Sequence, residues 1–452
     1  MMIPKSLIRV LVVALGLVYT GMALGAMNAE EATQLGTVLT GVGAERAGNK
    51  EGTIPDYTGG ITTPPKEYQP NSGVRPDPFA HEKPLFSIQA QNLEPYADKL
   101  TEGAKALMER YPTFRMDVYP THRSVGFPEW VLDGTKKGAA QATTTNDGLI
   151  LKDAQGGLPF PIPKSGYEAM WNHLTTYMAN PALDSETWFV DSNGRSMLYG
   201  KGTFYIDNSQ QWDPKFKGEN NYYYYKGKFC ATGPPRISGW AILYHDPVNW
   251  VKQGESCWVY LPGQRRVRLA PLACYDTPNI AGVNNVDDIN MFNGSMDRFE
   301  FKIIGKKEMY VPYNCYKATY YIDEKELLGP HHPNPDHLRW ELHRVWVVEG
   351  SLKEGKRHNY GLRRYYIDED SWLILASDNY DLRGKLFRVG FAFLTQSYDV
   401  GAPTQHFYGF FDLDSRIYAV CNWPTKRGKV TYIQTPDPKD FSPEALIGGG
   451  IR

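Results

Sequence analysis

The chain reads as a mainly β protein built on one large, curled antiparallel sheet with a few helices. Three observations carry that reading. The composition is aromatic and heavily punctuated, with 30 Tyr, 19 Phe and 11 Trp among 43 Gly and 32 Pro, the usage of sheets and tight turns. From about residue 186 onward, short alternating runs succeed one another between turn signals. Helical spacing is confined to a few stretches before that point. With 452 residues, 49 basic against 50 acidic side chains and a mean hydropathy of −0.46, the chain is neither disordered, fibrous nor a multi-span membrane protein. The balanced charge argues against a nucleic-acid partner.

Residues 1–26 have the order of a secretory signal peptide. Lys5 and Arg9 form a positive start, Val10 to Gly21 an apolar stretch, and Ala23, Gly25 and Ala26 a small-residue cleavage region. Cleavage after Gly25 or Ala26 delivers a soluble protein to the periplasm. The first cysteine is Cys230, so no lipid is attached at the junction. Residues 27–93 form an extended Gly/Pro-rich segment, with a short helix over Ala29 to Leu39. Residues 94–452 form a single helix-plus-sheet domain.

The best helix spans 94–111, where Leu100, Ala104, Leu107, Met108 and Tyr111 recur at helical spacing and Pro112 ends it. Phe114, Met116 and Val118 alternate as a strand. A second helix fits Gly166 to Met178. Hairpins follow. Glu186–Asp191 and Arg195–Gly200 flank Ser192, Asn193 and Gly194. Cys257–Leu261 and Arg265–Leu269 flank Pro262 and Gly263, the central pair of a type II turn. Met309–Val311 pairs with Cys315–Ile322. Trp340–Val348, Leu362–Asp368, Trp372–Asp378, Lys385–Phe393, Phe407–Asp412 and Arg416–Asn422 continue the meander. No internal repeat of a propeller or solenoid is present.

The sequence holds no GxSxG, SxxK, HExxH, P-loop or GxGxxG motif, so it is read as a binding protein without cofactor rather than an enzyme. Cys230, Cys257, Cys274, Cys315 and Cys421 include no CxxC pair and leave the disulfide pattern open. His331, His332 and His337, with Asp336 between, are the one histidine cluster and the metal candidates. Against that stands a proline-stiffened, solvent-facing loop. Asp287 with Asp288, and Asp368 through Asp370, sit at turns where solvation explains them. Arg265, Arg266 and Arg268 share one hairpin strand, and Arg363 with Arg364 precede two tyrosines. Edge-strand charge accounts for these, or a carboxylate or phosphate headgroup does.

The aromatic side chains carry the other signal. Trp188, Tyr199, Trp240, Trp258 and Tyr260 lie in strands, as do Phe387, Phe391 and Phe411. Together with Arg266 they are the candidate ligand-binding residues of a concave face. Such a face encloses an apolar ligand or stacks on sugars.

Four segments carry a family resemblance: Leu39–Asn49 with Gly52–Pro55, Gly59 and Gly60; Trp258–Arg268; Asp287–Asp297; and Tyr366–Trp372 with Tyr380–Gly384. They resemble exported proteobacterial proteins labelled outer-membrane-lipoprotein-sorting-like, over nearly the whole mature chain. The Trp258–Arg268 hairpin and the Asp368–Gly384 stretch are more distantly similar to the LolA/LolB-like periplasmic lipoprotein carriers. That resemblance implies an incomplete barrel closed by helices, an apolar cavity, and a carrier of lipid or another hydrophobic molecule. It further implies an RND-type exporter and an outer-membrane β-barrel protein as partners. The alternatives are an envelope polysaccharide-binding protein and a metal-dependent hydrolase using the His331–His337 cluster.

Overall fold

The computed structural model describes residues 27–217, 221–270 and 275–449. The expected signal peptide and Cys274 lie outside them.

One sixteen-stranded sheet organises the chain. It consists of two meanders. In the first, Pro181–Val190, Ser196–Asp207, Tyr223–Gly233, Ala241–Pro247, Ser256–Leu261 and Arg266–Leu269 pair in sequence order. In the second, Phe299–Pro312, Trp340–Leu352, Leu362–Asp368, Ile374–Tyr380, Leu386–Ala392, Tyr408–Asp412 and Ile417–Trp423 do the same. The two join where the last strand of the second pairs with the first strand of the first, Tyr418 opposite Val190. All of these pairings are antiparallel. A single parallel bridge, Trp340 to Val118, adds the short strands Met116–Val118 and Phe86–Ile88, and Val430–Tyr432 pairs antiparallel with the start of Pro181–Val190. The sheet does not close: Arg266–Leu269 and Phe299–Pro312 each pair on one side only.

Both faces of the central strands are covered. Ile374–Asn379 and Val389–Ala392 are buried throughout, so these strands do not show the polar-out alternation of a half-exposed sheet. One face lies under the helix Glu102–Arg110. The Thr101 hydroxyl caps it through the Ala104 N–H, and the Glu102 and Gly103 N–H groups donate to Asp378. The other face lies under the helix Gly166–Thr175, capped by Ser165, and the segment 280–296. A Cβ at Gly390 would stand 2.8 Å from Met291 Cε, which marks how closely that segment presses on the sheet. The N-terminal segment docks as well: Trp372 Nε1 donates to Val42 O at 2.8 Å, and Ala44 and Ile54 are core residues.

The structure alters several sequence expectations. The 94–111 helix is broken: a 3-10 turn over Glu94–Lys99 precedes the α-helix, because Leu100 is extended and Thr101 starts a new helix. Cys315–Ile322 is not a strand. Tyr316–Tyr320 is a short helix whose Tyr316 hydroxyl donates to Gln396 O, so tertiary burial overrides β propensity. The Pro262 turn is a 3-10 turn with Arg265 at φ 49°, rather than type II. The helix Glu129–Gly138 carried no strong sequence signal.

Gly166 opens its helix directly against the Phe301 strand, where a Cβ would lie 2.3 Å from the Phe301 carbonyl carbon. Gly166→Ala is expected to cost about 1–3 kcal/mol by overpacking, measured as a shift in urea midpoint at unchanged slope.

Candidate functional site

The face beneath segment 280–296 holds a buried ionic centre. Asp287 and Asp288 are 3% and 0% exposed, so solvation does not explain them. They sit in a kinked 3-10 segment, Val286–Met291, that turns both carboxylates toward the sheet. Arg363, on the central strand Leu362–Asp368, meets both: Nη1 donates to Asp287 Oδ2 at 2.8 Å and Nη2 to Asp288 Oδ1 at 2.5 Å. This corrects the edge-strand reading of Arg363, which is fully buried. The rings of Phe292, Phe299, Tyr360 and Tyr365 stand 4.9–5.7 Å from its guanidinium carbon, adding cation–π attraction in a dry setting.

The neighbours complete the network. His358 Nε2 lies 3.0 Å from Asp287 Oδ2, and the Tyr360 hydroxyl donates to Asp288 Oδ2 at 2.7 Å. Arg388 donates to Tyr360 Oη, Asn285 Oδ1 and Gly282 O. Burial raises both carboxyls, but Arg363 and His358 outweigh it at Asp287, which is held below the usual range. At Asp288 burial and the adjacent Asp287 prevail, and its carboxyl is raised.

Beside this lies a carboxyl pair. Asn293 Nδ2 donates to Asp246 Oδ2 at 2.7 Å. Burial pushes Asp246 from its ordinary 3.8 up to about 7 and pushes Glu255, also raised by Asp246, well above the carboxylate range. The pair therefore retains a proton near neutral pH. A guanidinium ringed by aromatics and a carboxyl pair together form a polar centre within an otherwise aromatic interior.

A second buried cluster lies under the N-terminal segment. Asp368, Glu369 and Asp370 are 0%, 2% and 2% exposed, again against the solvated-turn expectation. Arg123 forks onto Asp370 at 2.9 and 2.7 Å and reaches Arg46 O. Glu369 pairs with Lys306 and accepts the Glu45 N–H. Among the described residues, His343, Asp368 and Asp370 are the one His/Cys/Asp/Glu group whose ligand atoms all lie within 4.8 Å of one another.

The candidate residues named from sequence do not share one site. Phe391 and Phe411 belong to the main core, on the face under helix Glu102–Arg110, since Val389 meets Gly103 there. Tyr260 belongs to a separate small core with Phe441 and Leu446, against which Trp258 packs. Trp188 donates from Nε1 to Glu186, Tyr199 lies under Arg236, Trp240 packs on Phe229, and Phe387 packs on Tyr360. Arg266 is exposed on the terminal strand of the sheet. His332 Nε2 meets Thr113 Oγ1 and its Nδ1 lies 2.9 Å from Pro333 O, while His331 stacks on Tyr111. Those rings do not join His337 in a ligand group. The surface cleft of about 520 Å³ between the N-terminal segment and strand Val430–Tyr432 has the Arg75–Asp399 ion pair among its lining residues. Cys315 and Cys421 are buried free thiols, and Cys230 is a half-buried one. No described helix is long and apolar enough to cross a membrane.

Fold and centre together define a protein built on one large open sheet with an ion-paired, aromatic interior. The chain belongs to the family described as "Protein of unknown function (DUF1329)", which matches residues 87–447. It is 38% identical over 456 residues to the uncharacterized protein PA3922 of Pseudomonas aeruginosa, covering 99% of each chain. Among solved structures it is similar to a putative outer membrane lipoprotein-sorting protein domain from Vibrio parahaemolyticus (TM-score 0.40, 13% identity, 59% of this chain and 91% of that one). It is also similar to a DUF1329 family protein from Desulfovibrio piger (0.40, 14%, 60% and 92%) and a LolA superfamily protein from Nitrosomonas europaea (0.37, 10%, 62% and 98%). The family match and the 38% identical relative bear out the family resemblance read from the four segments.

Two substitutions test the ionic centre. Arg363→Met strands two buried carboxylates and is expected to cost about 3–5 kcal/mol in urea unfolding. Asp246 has a folded pKa above its unfolded one, so its contribution is full below the ordinary carboxyl value of 3.8 and is lost progressively as pH rises from there to about 7. Asp246→Asn should therefore gain stability on wild type steadily between about pH 4 and pH 7 and keep a constant advantage above that.

Proposed function

We propose that this protein is a periplasmic binding or carrier protein for a lipid or other hydrophobic molecule with a polar end. On this reading the chain is exported by a cleaved signal peptide, carries no lipid anchor, and acts with an RND-type exporter and an outer-membrane β-barrel partner.

The observation that carries the reading is the nature of the segment filling the sheet's aromatic face. Segment 280–296 places four non-glycine residues at positive φ: Ile280 at 41°, Ala281 at 55°, Asn290 at 52° and Met291 at 72°. Each such residue costs about 1–3 kcal/mol and persists only where surroundings over-determine it. Here the surroundings are the Arg363 bridges and the close packing on Gly390. A strained plug held by ion pairs over aromatic side chains is suited to yielding its place to an apolar guest. Arg363 and Arg388 then meet the guest's polar end, and the strain released offsets part of the lost packing. Polysaccharide binding has less support: the partly exposed cluster of Trp130, Tyr177 and Trp212 has its rings edge-to-face at 76–84°, not coplanar as a sugar platform requires.

The test is mass spectrometry of organic extracts of the protein purified from its native envelope without detergent, together with titration of the emptied protein with a fluorescent fatty-acyl probe. One apolar molecule per chain, displaced by the probe, is the expected result. A clean protein that also leaves the probe unbound overturns the reading.

A further inference from the structure

We propose that His343, Asp368 and Asp370 bind one divalent transition-metal ion, of the zinc or manganese class, beneath the docked N-terminal segment. The donor set is one imidazole and two carboxylates, which suits borderline cations and not the all-oxygen shells of calcium or magnesium.

The charges around the cluster leave one carboxylate uncompensated. Glu369 lies against Lys306 and Arg344. Glu341 lies against Arg339, and Asp370 against Arg123. Among the described residues, Asp368 has no ion pair with Lys or Arg. Its Oδ2 accepts from the Ser371 N–H, the Ser371 hydroxyl and the Tyr313 hydroxyl. Its Oδ1 is buried with no hydrogen-bond partner. A buried carboxylate in that state is costly without a further positive partner.

His343 is oriented for the same ion. Its Nε2 faces Glu341 Oε2 at 3.1 Å, and its ring is stacked on Tyr313 with centroids 3.6 Å apart. Nδ1 is the nitrogen left to coordinate, while Glu341 holds the opposite N–H. That carboxylate–histidine arrangement fixes the tautomer of metal-ligating histidines. Both Asp370 oxygens accept from Arg123, so Asp370 would offer the ion a remaining lone pair on one of them.

Position adds a consequence. His343, Asp368 and Asp370 are all at most 2% exposed, and the segment above them is held through Arg123 to Arg46 O, Glu369 to the Glu45 N–H and Trp372 to Val42 O. An ion there exchanges slowly and ties the docking of residues 42–47 to metal occupancy.

The experiment is elemental analysis of untagged protein from zinc- and manganese-supplemented cells, purified without chelator, and again after unfolding in EDTA and refolding with or without one equivalent of zinc. Wild type is expected to hold one ion per chain, to lose it only through unfolding, and to melt higher when refolded with zinc. Asp368→Asn, which keeps the shape and removes the charge, should fold, hold less than a tenth of an ion, and melt alike with and without zinc. His343→Gln is the second variant should Asp368→Asn not fold. His337→Ala should behave as wild type. Metal-free wild type from supplemented cells, equal metal content in Asp368→Asn, or loss of the ion in His337→Ala overturns the proposal.

Discussion

The sheet's central strands are covered on both faces, and the rest of the structure answers to that constraint. A strand with no wet side has nowhere to put a charge except against another charge. Arg363 satisfies this by taking Asp287 and Asp288 together. In doing so it fixes the connection that runs between the two meanders to the strands it crosses. Asp378 solves the same problem on the opposite face with the two N–H groups at the start of helix Glu102–Arg110. That helix end supplies donors where its own backbone has none to receive. The layers are thus held by directed polar contacts at their centres as well as by apolar area.

Two of the buried ionic clusters lie where irregular segments meet the sheet. One ties segment 280–296 to the sheet; the other ties the N-terminal segment to the turn at Asp368–Asp370. Each segment is long and irregular, bonded to itself through local turns and short bridges. Ion pairs taken out of water cost more than they return when compared with apolar packing, so their value here is in fixing where irregular chain lies. The carboxyl pair of Asp246 and Glu255, with its retained proton, falls on the same side of that account.

Much of the architecture was legible in the sequence. The hairpins from 186 onward appear nearly where turn residues and alternation put them, because local rules decide local turns. Thr101 shows the limit: a capping threonine inside an apolar helical pattern divides that pattern in two, and periodicity alone does not register it. Tyr316–Tyr320 carries strand-like residues but coils, since its environment is set by chain far away. The acids were misread for a related reason. Asp287, Asp288 and Asp368 do stand at turns, as their neighbours imply, yet the turns are roofed by segments whose placement no short-range pattern encodes. A fully buried Arg363 two strands from an edge is equally invisible, though its flanking apolar tyrosines were a hint of an interior strand. The ligand candidates lie in several parts of the sheet, because alternation tells which residues share a face of one strand, and not which faces of distant strands meet.

The pairing of Val190 with Tyr418 has a consequence for how the molecule is made. It lies in the middle of the sheet but joins the first strand of one meander to the last strand of the other. Loop closure over such a distance is slow and entropically opposed. Until it happens, each half presents a raw, hydrogen-bond-hungry border exactly where the finished protein is most deeply covered. A chain that emerges from its N-terminus onward therefore cannot finish its core as it appears. It must be kept from sticking to its neighbours until almost the last strand is out, and a copy cut short anywhere before that strand is left with two open halves prone to aggregate.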